Sequence, residues 1–106
     1  MKINFKNKTF EIKARECRGI KKALGLMFSG KKAKALIFRF KNQTKTPIHS
    51  LFCPEFLAVW LLNMKVIEYK IIKKTKLSII PRKNFNSLIE IPINKKYEKI
   101  LRIFKT

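Results

Sequence analysis

Short apolar segments, separated by charged or proline-containing stretches, recur along the whole chain. The longest uninterrupted apolar run, Phe56 to Leu62, has the length of a single strand. Two shorter segments, Leu77–Ile80 and Leu88–Ile91, are each followed by a proline. Strands of globular proteins have such lengths, whereas a helix that buries one face is usually longer. The pattern predicts a mainly β protein, either a small β-sandwich or a partly open barrel.

Several strands can be placed by the alternation of apolar and polar residues. Residues 2–14 predict a hairpin with its turn near Asn7-Lys8, and Asn63-Met64 predicts a tight turn between two further strands. In the second strand of that pair we expect Ile67, Tyr69 and Ile71 to share one face. The remaining predicted elements are strands at Ala35–Phe40 and Ile48–Phe52, with a loop at Lys41–Lys45 between them.

Two segments show a helical period instead. Between Glu16 and Phe28 the apolar residues are three and four positions apart, which predicts a short amphipathic helix after the first hairpin. Gly19 and Gly25 weaken it, so we expect a short helix followed by a turn. From Lys95 to about residue 105 the spacing predicts a terminal helix that docks on the sheet through Tyr97, Ile100, Leu101 and Phe104.

The length and composition predict one domain over residues 1–106. A chain of 106 residues suffices for one hydrophobic core, and 46% hydrophobic residues argue against disorder. No apolar segment has the length of a signal peptide or of a membrane span. Two cysteines are too few for a disulfide scaffold and suggest reduced thiols. We therefore expect a cytoplasmic protein without a cofactor.

The chain is strongly basic, with 26 Lys and Arg residues against six Glu and no Asp. Such a surface attracts nucleic acid through its phosphates. Of these 26 residues, 21 are Lys, and the chain is also rich in Ile and Asn. An A/T-rich coding sequence would produce such a composition, so compositional bias is the simpler explanation of the positive charge. The candidate anion-binding residues are Lys31, Lys32, Lys34, Lys73, Lys74 and Lys76, with a further dense stretch at Lys95, Lys96 and Lys99.

One stretch nearly matches a phosphate-binding P-loop. Residues Gly25 to Lys32 fit the motif except at its last position, where Lys32 replaces the Ser or Thr that holds magnesium. The motif also needs a strand before it and a helix after it. Here a helical pattern precedes it and a strand-like pattern follows it. We therefore interpret the glycines as turn residues at a helix end.

Three residues could carry polar chemistry in a pocket. His49 and Cys53, together with Cys17, could ligate zinc, or His49 could activate a Cys53 nucleophile. A spacing of four along a strand separates the two side chains by about 13 Å, which is too far for either role unless the chain bends at Pro54. Glu90, between two isoleucines, is the carboxylate most suited to a functional role, and Trp60 is expected in the core.

The order of these features resembles the family of small uncharacterised proteins catalogued as domain of unknown function 192 (UPF 0127). The resemblance covers about residues 3–94 and is carried by Gly25-Leu26-Met27, Leu36–Phe40, Ile48-His49 with Phe56–Leu62, Val66–Glu68 and Ile89–Pro92. Members carry an Asp in the segment where this chain has Leu57-Ala58, so a polar site built on that Asp is not expected here. The resemblance implies a compact, mainly β domain and implies no activity.

The sequence therefore predicts a non-catalytic domain that binds a protein or a small ligand. Non-specific nucleic-acid binding through the Lys-rich surface is the alternative, and an unidentified enzyme is a third possibility. The enzyme hypothesis requires His49, Cys53 or Glu90 to converge in one concave pocket.

Overall fold

A computed structural model of the chain describes residues 1–17, 33–49, 53–73 and 78–104. These residues form one curled seven-stranded sheet and a short C-terminal helix, so the mainly β prediction is confirmed. Within the described ranges, no helix has the length and hydrophobicity that a membrane span requires.

The strands do not follow one another across the sheet. Their order is β2-β1-β6-β5-β7-β4-β3, and the pairs β1–β6 and β3–β4 are parallel while the others are antiparallel. A 3₁₀ turn at Lys95–Tyr97 leads into α1, Glu98–Ile103. The strands are β1 (Lys2–Phe5), β2 (Lys8–Glu11), β3 (Arg15–Cys17), β4 (Leu36–Thr44), β5 (Phe56–Leu62), β6 (Lys65–Ile72) and β7 (Phe85–Pro92).

Both predicted hairpins are present. Lys6 and Asn7 join β1 to β2, one residue earlier than expected, and Asn63 and Met64 join β5 to β6. All four residues have positive φ, between 51° and 65°. Two successive residues with positive φ give a turn whose twist matches that of the strands it joins.

Two of the predicted boundaries are wrong or incomplete. The expected loop at Lys41–Lys45 is wrong, because β4 continues to Thr44 and Thr44 pairs with Phe85 of β7. The expected strand at Ile48–Phe52 is reduced to an isolated bridge between Ile48 and Ile79, and residues 50–52 lie outside the described ranges.

A bulge in β6 changes the side to which Ile67 points. Trp60 pairs with Glu68 and Leu61 pairs with Val66, so Ile67 is an extra residue in its strand. Tyr69 packs against the hydrophobic core on one face of the sheet, and Ile67 packs against the core on the other. The prediction that Ile67, Tyr69 and Ile71 share a face is therefore wrong for Ile67.

Each face of the sheet carries its own hydrophobic core, and β5 contributes to both. Leu57, Val59 and Leu61 lie in the first core, while Phe56, Ala58 and Trp60 lie in the second. This double burial explains why the sequence of β5 is continuously apolar instead of alternating. Trp60 is fully buried, as expected.

The C-terminal helix covers part of the first core, as its spacing predicted. Phe104 stacks on Phe5 with ring centroids 4.8 Å apart and also contacts Tyr69. The hydroxyl oxygen of Tyr97 accepts a hydrogen bond of 2.7 Å from the backbone N–H of Ala35. The other predicted helix, Glu16–Phe28, begins on residues that belong to β3, and from residue 18 it lies outside the described ranges.

Candidate functional site

The three residues proposed for polar chemistry lie on separate segments of the fold. Cys53 and Glu90 are both buried, and Glu90 pairs in the sheet with Leu36 and Ala58, whose side chains belong to the second core. His49 is half-buried and follows the Ile48–Ile79 bridge. Over the described ranges, no three His, Cys, Asp or Glu side chains come close enough to hold a metal ion. The zinc and thiol hypotheses gain no support.

The basic residues are spread over the molecule. Lys34 and Lys73 are exposed, whereas Lys31, Lys32, Lys74 and Lys76 lie outside the described residues. Exposed basic side chains occur at both edges of the sheet and on the terminal helix, for example Lys8 in β2, Arg15 in β3 and Arg102 in α1. This distribution fits a general Lys coat better than one basic face.

A groove of about 740 Å³ lies between α1 and one end of the sheet. We call it the α1 groove. Leu101 and Phe104 form its helical side, while Ile71 of β6 and Ile93, just after β7, form its other side. Ile71 and Ile93 are 45% and 40% exposed, and both are large apolar side chains. The other residues that line the groove are Glu55, Asn94, Lys95 and Glu98.

The groove exists because α1 is short. With only six residues, it packs its far end on Phe5 and Tyr69, near the β1 and β6 side of the sheet. Ile71 pairs with Leu57 on the same face, but it keeps nearly half of its surface exposed. The face of the sheet is therefore wider than the helix that covers it.

The polar residues of the groove are held by backbone contacts. Asn94 caps the 3₁₀ turn by accepting a hydrogen bond of 3.0 Å from the N–H of Lys96, and its Nδ2 donates to the carbonyl of Ala33 at 3.2 Å. The N–H of Ile93 donates to the carbonyl of Glu55 at 3.1 Å. These contacts place Ile93, Asn94 and Glu55 beside one another at the end of the sheet.

The groove also contains two of the six glutamates of the chain. Glu98 forms an ion pair of 2.8 Å with Arg102, one turn further along α1. The half-buried carboxylate of Glu55 has neither an ion pair nor a hydrogen bond with any described residue. An apolar floor with a few fixed polar groups is the usual composition of a ligand site.

Comparison with known proteins identifies no relative for this chain. No family model, no curated protein and no solved structure matches it. The candidate site therefore depends on the geometry of this chain alone.

The sequence indicated that Leu101 and Phe104 face the sheet, but it did not single out Glu55 or Ile93. A chain this rich in Lys suggests that its glutamates pair with nearby lysines, but Glu98 pairs with an arginine and Glu55 has no ion pair with a described residue. Ile93 lies between Pro92 and Asn94, in a stretch that resembles the end of a strand. One sequence signal for the groove was present. Ile93, a large apolar residue, directly follows the proline that ends a strand, where a polar turn residue is more usual.

Proposed function

We propose that this protein is a non-catalytic binding domain whose α1 groove takes a small ligand with an apolar body. One observation carries this proposal: two large, partly exposed isoleucines, Ile71 and Ile93, face the same concave surface. The volume of about 740 Å³ falls within the range of about 300–1,000 Å³ that is typical of small-molecule sites.

Covering the two isoleucines would supply part of the binding energy. Full burial of an Ile side chain stabilises by about 1.5–3 kcal/mol, and each of these is exposed over roughly two-fifths of its surface. A ligand that covers both would gain about 1 kcal/mol from each. A protein partner is less well matched, because a stable protein interface takes about 20–30 residues on each side, far more than line the groove.

The expected family and location remain part of the proposal. Three stretches that carry the resemblance to domain of unknown function 192 lie on strands in chain order, namely Leu36–Phe40 in β4, Val66–Glu68 in β6 and Ile89–Pro92 in β7. This supports membership and adds no activity. The location rests on the sequence: two cysteines are too few for a disulfide scaffold, which supports a reducing compartment such as the cytoplasm.

Octanol is a suitable neutral apolar probe. We expect that its titration into ¹⁵N-labelled protein shifts the amide resonances of Ile71, Ile93 and Leu101 in a saturable way. Ile93→Ser should weaken binding about fivefold, since about 1 kcal/mol of apolar contact is lost. Ile80→Ser is the matched control, because Ile80 is 60% exposed and does not line the groove.

Two results would overturn the proposal. One is the absence of saturable shifts at these residues up to the solubility limit of octanol. The other is an equal loss of affinity in Ile93→Ser and Ile80→Ser. Both variants change exposed side chains, so retained amide dispersion in their spectra is expected and shows that each is folded.

A further inference from the structure

We infer that the ligand of the α1 groove carries a positively charged group, such as an amine, that binds the carboxylate of Glu55. This inference rests on the proposed function and names the chemical class of the ligand. It depends on where Glu55 lies and on how it differs from the other glutamates.

The position of Glu55 is fixed by the sheet. It follows Pro54 and directly precedes β5, whose first residue, Phe56, pairs with Pro92. Its carbonyl accepts the hydrogen bond from Ile93, so Glu55 is held next to an apolar side chain of the groove floor. The half-buried side chain lines the groove. A ligand that covers Ile93 would therefore lie beside this carboxylate.

Glu55 differs from the other glutamates because its carboxylate has no ion pair or hydrogen bond with a residue in the described ranges. A chain with a formal net charge of +20 offers many cations, and the other five are engaged. Glu11 binds the N-terminal amine, Glu16 binds Arg39, Glu98 binds Arg102, Glu68 accepts from the N–H of Arg82, and buried Glu90 also has an interaction.

A cationic group suits this position better than an anionic one. A carboxylate beside an apolar wall is less hydrated than one in open water, which strengthens a charge-assisted hydrogen bond from an ammonium group. Among the described charged residues of the lining, Glu98 is already paired with Arg102, which leaves the carboxylate of Glu55 and the amine of Lys95. An anion that covers Ile93 would lie beside the carboxylate of Glu55 and be repelled by it, although the protein as a whole attracts anions.

The contrast between the carboxylate of Glu55 and the positive net charge of the chain gives a direct test. Octylamine, octanol and octanoate share one apolar chain and carry positive, zero and negative charge at neutral pH. We expect octylamine to bind about threefold to fivefold more tightly than octanol. This factor corresponds to an exposed ion pair at the upper end of its usual strength. Octanoate should bind most weakly. Affinities are taken from the amide shifts of the groove residues.

Two variants identify the carboxylate that is responsible. Glu55→Gln should remove the preference for octylamine over octanol. Glu11→Gln changes the net charge by the same amount at β2, away from the groove, and should keep the preference.

The possible outcomes separate the two proposals. Binding of all three probes with equal affinity, or tightest binding of octanoate, would overturn the cationic class while the binding function stands. A preference for octylamine that survives in Glu55→Gln would also overturn it. If none of the probes shifts the groove residues, both proposals fail.

Discussion

The hydrogen bond between Ala35 and Tyr97 links the C-terminal helix to the sheet, and its removal should be costly. In Tyr97→Phe the ring keeps its packing against the first core, but the N–H of Ala35 loses its acceptor. Ala35 is fully buried, so water cannot replace the hydroxyl. A buried donor left without a partner costs about 1–3 kcal/mol, a large part of the roughly 5–15 kcal/mol that stabilises a typical domain.

Urea denaturation followed by circular dichroism measures this loss as a change in the free energy of unfolding. The corresponding fall in melting temperature is about 4–8 °C per kcal/mol for a domain of this size. Tyr69→Phe is the matched control, because the hydroxyl of Tyr69 makes no hydrogen bond with a described residue. We expect it to stay within about 0.5 kcal/mol of the unchanged protein. Equal effects of the two substitutions would refute the role given to this bond.

Two further predictions concern the hairpin and the second core. The hydrogen bond from the N-terminal amine lowers the pKa of Glu11 below its ordinary value of 4.5, so its stabilisation is present above pH 4.5 and is lost as the pH falls through the lowered pKa. Glu11→Gln should therefore be less stable at neutral pH, and denaturation curves should converge with those of the unchanged protein in acid; a constant difference would contradict this. Trp60→Ala should lower the free energy of unfolding by about 3–5 kcal/mol, because Trp60 is fully buried. A loss below about 1 kcal/mol in urea denaturation would be inconsistent with that burial.

Local sequence patterns predicted the hairpin between β5 and β6 and the C-terminal helix, because each of these is specified by residues close together in the chain. The hairpin between β5 and β6 follows from two apolar segments around Asn63-Met64, and the terminal helix follows from the spacing of Tyr97, Leu101 and Phe104. In both cases the signal lies within a few residues of the structure that it predicts.

Elements that depend on distant partners were not predicted. Residues 41–44 are polar and show no alternation, yet they extend β4 because β7 lies beside it and Phe85 pairs with Thr44. The parallel pairing of β1 with β6 joins two strands that are far apart in the chain. No local pattern in either partner specifies the other.

The candidate site was missed for the same reason. Glu55 and Ile93 are each next to a proline at the end of an apolar segment, and separately they resemble ordinary boundary residues. They meet because Phe56 pairs with Pro92, a register that single-sequence patterns do not specify. The isoleucines that flank Glu90 suggested a functional role for it, and the structure shows that Glu90 is buried.

The place of β7 in the sheet has a consequence for how the chain folds during synthesis. β7 is the last of the seven strands to be made, yet it lies between β5 and β4 and pairs with both. Until residues 85–92 leave the ribosome, the two halves of the sheet have no common neighbour and their apolar edges stay open. Assembly of the sheet must therefore wait for β7, which favours slow folding and exposes incompletely synthesised chains to aggregation.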